Sequence, residues 1–240
     1  MGGAHSGVWW LEWAYAGFTL FGEHVRWADL IGNIAALATV ALAVRRSMWT
    51  WPVQLTGAVL LFAVSIDAHL TGNALKQIMF VGLVVYGWTR WARATRGGAE
   101  LRVRPATGHE RGVLLGLLVG GTVAVALLFE ATGLSWAPWP DAFIFVGSAV
   151  ATFGQSRALI DFWFVWIAVD LVGVPLALMS GLWVTGAVYI VFFVLAVIGI
   201  RDWMRRHRAA EAAEAAGAVG SAGAAGPTGP DEASGREAVA

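Results

Sequence analysis

Two tryptophans and an aspartate share one face of an apolar segment in the second half of this 240-residue chain. Trp163, Trp166 and Asp170 stand at positions i, i+3 and i+7, which places them on one side of an α-helix. Indole faces attract positive charge and stack on flat rings, while a carboxylate accepts hydrogen bonds or balances a cation. The spacing therefore predicts a pocket for a flat ring that is electron-poor or cationic.

Other apolar segments carry polar and aromatic side chains suited to the same pocket. Asn73 and Gln77 lie at i and i+4 on one helical face, where amides bind the hydroxyls or carboxamide of a ligand, or join neighbouring helices. The predicted substrate-binding residues are Trp163, Trp166, Asp170, Asn73, Gln77, Trp51, Gln54 and Tyr189.

Purely structural roles compete with binding at several of these positions. Trp51 and Trp163 lie near predicted helix ends, where tryptophan is enriched at the membrane–water interface. Asp170 lies near mid-span, where a carboxylate costs on the order of 2.5 to 3.5 kcal/mol on insertion scales. It therefore needs a partner or a wet cavity, and it can serve instead as an anchor between helices. Trp166 lies one turn deeper, where an interfacial role does not fit.

The composition predicts an all-α polytopic membrane protein. Hydrophobic residues make up 58% of the chain and charged residues only 13%, which favours membrane spans over soluble domains. We place an interfacial helix at residues 8–21, which are too short and too rich in tryptophan for a confident crossing. The seven predicted spans are 28–44, 49–66, 73–91, 112–129, 143–155, 162–179 and 182–200.

Arginine is concentrated at alternate ends of these spans. By the positive-inside rule the arginine-bearing ends face the cytosol, so the N-terminus is outside and the C-terminus inside. The arginines follow from this topology and need no nucleic acid, since they also suit anionic lipid headgroups. Residues 206–240, rich in Ala, Gly and Pro, are predicted to be a disordered cytosolic tail.

The chain repeats itself without a gap at one fixed offset, the separation between Trp51 and Trp163, which we call the repeat offset. Each unit holds three helices, and one helix lies between the units. Because four crossings restore the orientation, the repeats are parallel and related by an axis along the membrane normal. The predicted regions are an N-terminal segment 1–26, a first repeat 27–93, a cytoplasmic loop and linker helix 94–138, a second repeat 139–205 and the tail 206–240. The matched pairs are Trp27 with Trp139, Asp29 with Asp141, Arg45 with Arg157, Trp51 with Trp163, Leu83 with Leu195, Gly87 with Gly199 and Trp91 with Trp203.

No enzyme signature is present in the sequence. Cysteine is absent, which excludes disulfides and thiolate metal sites, and the five histidines are scattered over termini and loops. A nucleophile elbow and a phosphate-binding Walker loop are also missing. We therefore expect no catalytic residue, no metal and no cofactor. An intramembrane enzyme and a structural or assembly protein remain the rival classes.

Four tracts together resemble the PnuC family of bacterial nicotinamide riboside transporters over residues 28–205. The resemblance implies a SWEET-like 3+1+3 fold in the bacterial inner membrane, a homotrimer, and facilitated passage of nicotinamide riboside that cytosolic phosphorylation makes irreversible. Close relatives carry riboflavin or thiamine, and the motifs do not exclude either. The tracts are Trp49 to Pro52, Asn73 to Gln77 with Tyr86-Gly-Trp88 and Trp91, Trp163-x-x-Trp166-x-x-x-Asp170, and Gly199-x-x-Asp202-Trp203.

Overall fold

The computed structural model describes residues 16–20, 23–67, 71–181 and 183–224. Within these ranges the chain forms one short hairpin, which was not predicted, and seven α-helices, the number that the hydropathy pattern predicted. The strands are β1 (Gly17–Leu20) and β2 (Glu23–Arg26), and the helices are α1 (Trp27–Val44), α2 (Thr50–Asp67), α3 (Thr71–Ala94), α4 (Gly108–Thr132), α5 (Pro138–Ser156), α6 (Phe162–Met179) and α7 (Trp183–Ala224).

Length and composition make this a membrane protein. Among the described residues, three helices are long and apolar enough to cross a bilayer: α4, α6 and the Trp183–Ala218 part of α7. A shorter apolar stretch, Asn33–Val44, lies in α1. A bilayer core about 30 Å thick requires about 20 apolar residues in a helix, a length that these three helices approach or exceed.

Two predictions at the ends of the chain are wrong in part. The interfacial helix was expected to reach residue 21, but Gly17–Leu20 instead pairs antiparallel with Glu23–Arg26. Residues 1–15 of that segment lie outside the described part of the chain. The tail was expected to be disordered from residue 206, but α7 continues to Ala224. Alanine is the best helix former and is frequent in this stretch, so its local propensity outweighs its lack of bulky apolar residues. Residues 225–240 lie outside the described residues.

The helices pack as two groups of three, with α4 against the second group. Neighbours in the chain contact each other within α1–α2–α3 and within α5–α6–α7. The groups meet where α1 contacts α7 and where α3 contacts α5. The repeat offset carries α1 onto α5 and α3 onto α7, so the two junctions are equivalent in the sequence repeat.

Four buried tryptophans, which we call the tryptophan cluster, fill the end of the bundle next to the arginines. Trp51, Trp91, Trp163 and Trp203 are each at most 1% exposed. Trp51 meets Trp91 edge-on at a centroid distance of 5.1 Å, and Trp163 meets Trp203 in the same way at 5.8 Å. These two pairs are related by the repeat offset, and Trp91 and Trp203 join them at 6.4 Å.

Hydrogen bonds from the cluster cross between the two helix groups. The indole Nε1 of Trp91 donates to the carbonyl of Gln155, at 3.1 Å. In the equivalent position, Nε1 of Trp203 donates to the carbonyls of Ala43 and Val44, at 3.3 and 3.2 Å. A buried indole N–H needs an acceptor, and here each group supplies the acceptor for the other.

The turns after α1 and α5 also have the same shape. Arg46 and Ala158, which the repeat offset also relates, both adopt positive φ, 57° and 54°. Each backbone N–H at this position donates at 2.9 Å to the residue three before it, Ala43 or Gln155. Positive φ is uncommon for residues other than glycine, so its occurrence at both sites marks a repeated backbone structure.

The segment before α4 ties the two turns together. The guanidinium of Arg46 pairs with Glu100 and donates to the carbonyl of Leu101 at 2.9 Å. The hydrogen-bonded ion pair with Arg46 holds the pKa of the Glu100 carboxyl below its usual value. Further along this segment, the Arg104 backbone pairs with Ala158 and Ile160 in a short parallel bridge. A capping box between Thr107 and Glu110 then starts α4.

Substitutions of two glycines in α3 test the packing of the tryptophan cluster. A methyl group at Gly87 would overlap the ring of Trp51, whereas one at Gly82 would meet no atom within 4 Å. We expect Gly87→Ala to lower the free energy of unfolding by roughly 1 to 3 kcal/mol, because overpacking forces side chains off their rotamers. Gly82→Ala should be neutral or stabilising by up to about 1 kcal/mol through helix propensity.

Thermal unfolding of the purified protein in detergent measures both effects. Equal transition temperatures for the two variants would show that the ring of Trp51 does not rest against Gly87.

Candidate functional site

A cavity of about 440 Å³ lies between the two helix groups, next to the tryptophan cluster. It extends from Ala43 and Gln155, near the arginine end, to Asn33 in the second turn of α1 and Thr185 in the first turn of α7. Its size falls within the range of small-molecule sites, and its walls combine apolar and aromatic surface with a few polar groups. The polar residues and tyrosine among its lining are Asn33, Thr39, Gln54, Lys76, Gln77, Ser148, Gln155, Asp170, Thr185 and Tyr189.

Six of the eight predicted site residues line this cavity. They come from four helices, α2, α3, α6 and α7, so the fold brings together residues from both halves of the chain. The six are Gln54, Gln77, Trp163, Trp166, Asp170 and Tyr189. The three residues of the original i, i+3, i+7 pattern therefore do share a face that points toward one space.

The other two predicted residues have different outcomes. Trp51 does not line the cavity, because its ring is buried against Gly87 and the edge of Trp91. It belongs to the tryptophan cluster, and it is buried in protein rather than placed at an interface. The side chain of Asn73 lies outside the described part of the chain. Its repeat equivalent, Thr185, does line the cavity.

Six polar lining residues were not among the eight predicted: Asn33, Thr39, Lys76, Ser148, Gln155 and Thr185. Asn33, Thr39 and Ser148 are isolated polar positions in apolar helices, which carry little signal by themselves. The hydroxyls of Thr39 and Ser148 donate to the carbonyls four residues earlier, at 2.9 and 2.7 Å. Such bonds let a hydroxyl sit inside a helix without another partner. Thr185 had a usable signal, because the repeat maps it onto Asn73.

The cavity is symmetric in position and asymmetric in chemistry. Positions related by the repeat offset line it from both helix groups, but they differ in character. Gln54 is matched by Trp166, Ala58 by Asp170, Gln77 by Tyr189, Ala43 by Gln155 and Lys76 by Val188. A ligand inside therefore meets different groups on its two sides, which favours one bound orientation.

Several polar atoms at this site are buried without a hydrogen-bond partner among the described residues. They are Oε1 of Gln54, Nε2 of Gln155, Nε1 of Trp163 and Oδ2 of Asp170. A buried polar group left unpaired costs about 1 to 3 kcal/mol. Two hydrogen-bond donors and two acceptors are thus available to a ligand or to water.

The charge of the lining is balanced. Asp170, which is 1% exposed, is the one acidic residue among the described lining side chains, and Lys76 is the one basic residue. Nothing in the described part of the chain groups three or more side chains that hold metal ions. The lining thus combines aromatic rings and amides with one carboxylate and one ammonium group.

A helical membrane protein whose two halves enclose such a cavity has the construction of a small-molecule transporter. Residues 26–205 match the family model described as nicotinamide mononucleotide transporter. The chain belongs to the PnuC family of membrane transporters, as the four tracts of the sequence indicated.

Two relatives show which members of the family this chain is similar to. The riboflavin/roseoflavin transporter RibM of Streptomyces davaonensis is 48% identical over 194 residues, covering 80% of this chain and 91% of the relative. The nicotinamide riboside transporter PnuC of Escherichia coli is 24% identical over 212 residues, covering 78% of this chain and 89% of that protein. Both relatives are transporters and not enzymes.

A solved structure supports the fold. The crystal structure of the vitamin B3 transporter PnuC superposes with a TM-score of 0.60 at 17% sequence identity, covering 76% of this chain and 82% of that chain. At this level of identity the match establishes a common fold and leaves the ligand open.

Cysteine labelling tests whether the cavity is open to water. The chain has no cysteine of its own, so a single introduced thiol is read without background. Ser148→Cys places a thiol in the cavity, whereas Ala151→Cys, on the same helix, places one at a fully buried position. We expect a water-soluble maleimide to label Ser148→Cys in the folded, detergent-solubilised protein and to leave Ala151→Cys unmodified until denaturant is added. Equal labelling of both would contradict the cavity.

Proposed function

We propose that this protein imports a flat-ring vitamin across a bacterial inner membrane and that riboflavin is its main substrate. The observation that carries the choice is the 48% identity to a riboflavin/roseoflavin transporter across most of both chains. This reverses the order expected from the motifs, which placed nicotinamide riboside first.

The chemistry of the cavity supports a neutral flavin. The isoalloxazine system is a large flat ring that stacks on indole and phenol faces such as Trp166 and Tyr189. Its imide edge offers donors and acceptors that match the amides of Gln54 and Gln77, and the ribityl hydroxyls match Asp170. With one acidic and one basic lining residue, the cavity has no net charge to favour a cation.

Nicotinamide riboside is the second candidate. The family description and the Escherichia coli relative favour it, and a buried carboxylate beside tryptophan faces suits a pyridinium cation. Thiamine also combines a flat ring with a positive charge. We rank thiamine below the other two vitamins because neither relative named above is a thiamine transporter.

The two equivalent junctions support a 3+1+3 arrangement with α4 as the linker. Carriers of this SWEET-like type change access when one repeat rocks against the other around a fixed site. The tryptophan cluster closes the arginine end of the site in the present conformation. We propose passive transport down the substrate gradient, trapping by cytosolic phosphorylation, and assembly as a homotrimer in the lipid bilayer.

The arginine-bearing end faces the cytosol in this proposal, with the C-terminus inside. The cavity then opens toward the outside. In intact cells, an impermeant thiol reagent should therefore reach the Ser148→Cys variant described above. Protection of that thiol in cells, combined with labelling after permeabilisation, would reverse the orientation.

Transport assays compare the substrates directly. Purified protein in liposomes should take up riboflavin with higher affinity than nicotinamide riboside or thiamine, and initial rates should not change when ionophores collapse proton and sodium gradients. Uptake into liposomes that contain the full chain is compared with uptake into empty liposomes. Selective uptake of nicotinamide riboside would move the second candidate to first place, and loss of uptake with the ionophores would show ion coupling.

Substitutions in the cavity separate stacking from charge. Trp166→Ala removes a stacking surface contributing about 0.5 to 1.5 kcal/mol, so riboflavin affinity should fall roughly 2- to 13-fold. Trp49→Ala is the matched control, because Trp49 is 68% exposed and does not line the cavity. Asp170→Asn keeps size and one acceptor while removing the charge, so a neutral flavin should lose little and a pyridinium substrate far more.

Binding of each ligand to purified variants, measured by tryptophan fluorescence or calorimetry, checks these values. Parent-like affinity in a folded Trp166→Ala variant would remove the aromatic face from the site.

A further inference from the structure

A second cavity, of about 390 Å³, lies at the arginine end outside the tryptophan cluster. Its walls come from the end of α3, from the segment before α4, and from the turn after α5. Four arginines line it: Arg90, Arg102, Arg104 and Arg157. Glu100 is the one acidic side chain among its described lining residues.

The grouping of these four arginines around one cavity is more than the membrane topology requires. Topology requires basic residues near the membrane surface, but it does not require them to surround one concave space. Including the ion-paired neighbours Arg46, Glu110 and Glu214, five arginines face three glutamates, which leaves an excess of two positive charges.

Internal pairing positions some of these arginines and leaves others available. Arg104 is held by Glu110 through two 2.7 Å bonds, and this contact raises the pKa of its guanidinium. Arg157 also reaches Glu110, at 3.1 Å, but its Nε is buried without a partner among the described residues. Arg90 is exposed and makes no ion pair with any described residue. The glutamate thus orients a basic wall that still has free donors.

We propose that this second cavity binds a phosphate group, at a site separate from the transport cavity. Guanidinium groups match the geometry of phosphate oxygens, and a basic pocket between helices near the cytosolic surface suits a phosphorylated headgroup. The ligand class is a phosphate ester or free phosphate. Its source is either the headgroup of an anionic lipid or a soluble phosphate compound.

Occupancy of this site would join the two halves of the protein. Arg90 lies on α3 of the first helix group, Arg157 follows α5 of the second, and Arg102 belongs to the segment between them. A phosphate held by all three bridges elements that move relative to each other when one repeat rocks. The ligand therefore stabilises the present conformation and raises the unfolding temperature.

The test measures the unfolding temperature of the full chain, purified in uncharged detergent. The protein is titrated with inorganic phosphate, and chloride keeps the ionic strength constant. A second arm uses nanodiscs of phosphatidylcholine with or without phosphatidylglycerol. Arg90→Gln removes one donor of the cavity, and Arg93→Gln is the matched control, because Arg93 is exposed on the same helix and does not line the cavity. Arg157→Gln is a second variant, less suitable alone because Arg157 also pairs with Glu110.

We expect phosphate or phosphatidylglycerol to raise the unfolding temperature of the parent. Arg90→Gln should weaken the apparent affinity about 3- to 10-fold, in line with one basic contact to an anionic headgroup, and Arg93→Gln should leave it within about twofold. A response to inorganic phosphate assigns a soluble ligand, and a response confined to phosphatidylglycerol assigns a lipid headgroup. No response in either arm, or equal losses for the two variants, would overturn the proposal.

Discussion

The packing of the tryptophan cluster, in which two of the four rings lie against glycines, is the contact on which the rest of the structure depends. The rings of Trp51 and Trp163 lie against the backbone at Gly87 and Gly199, where no side chain larger than hydrogen fits. The N–H groups of Trp91 and Trp203 then donate across the junction between the helix groups. Since apolar side chains gain nothing from leaving lipid, close packing and hydrogen bonds of this kind hold membrane helices together. The cluster thereby joins the two halves and borders one end of the larger cavity.

A symmetric scaffold carries an asymmetric site. The tryptophan cluster and the positive-φ turns recur at the repeat offset with nearly the same geometry. The cavity between them has polar residues in one half opposite apolar residues in the other, as at Asp170 and Ala58. Packing requires the same shapes in both halves because the junctions are equivalent. Recognition of a ligand without twofold symmetry requires different groups, and this division explains which repeat positions match and which diverge.

The balance of charge in the cavity bears on the choice among vitamins. Asp170 taken alone favours a cationic ring, and the sequence pattern was interpreted as a pocket for a flat ring that is electron-poor or cationic. The fold brings Lys76 from α3 into the same lining, and the pair removes the preference for a cation. This balance supports the proposal of a neutral flavin, which also rests on the 48% identity to a riboflavin/roseoflavin transporter. The lysine and the aspartate belong to different halves of the chain, so no local pattern relates them.

The sequence by itself determined the class of protein and the seven helices, and it predicted six of the residues that line the larger cavity. Apolar runs separated by arginine specify helices and spans because bilayer thickness sets their length, and the internal repeat specifies equivalent halves. Helical periodicity placed Trp163, Trp166 and Asp170 on one face. Only the tertiary structure decided that Trp163 lines the cavity while its equally buried equivalent Trp51 does not. It also decided that Lys76 and Ser148 belong to the lining. Local spacing orients a side chain relative to its own helix, whereas exposure to a cavity depends on the neighbouring helices, whose packing is set by contacts between residues far apart in the chain.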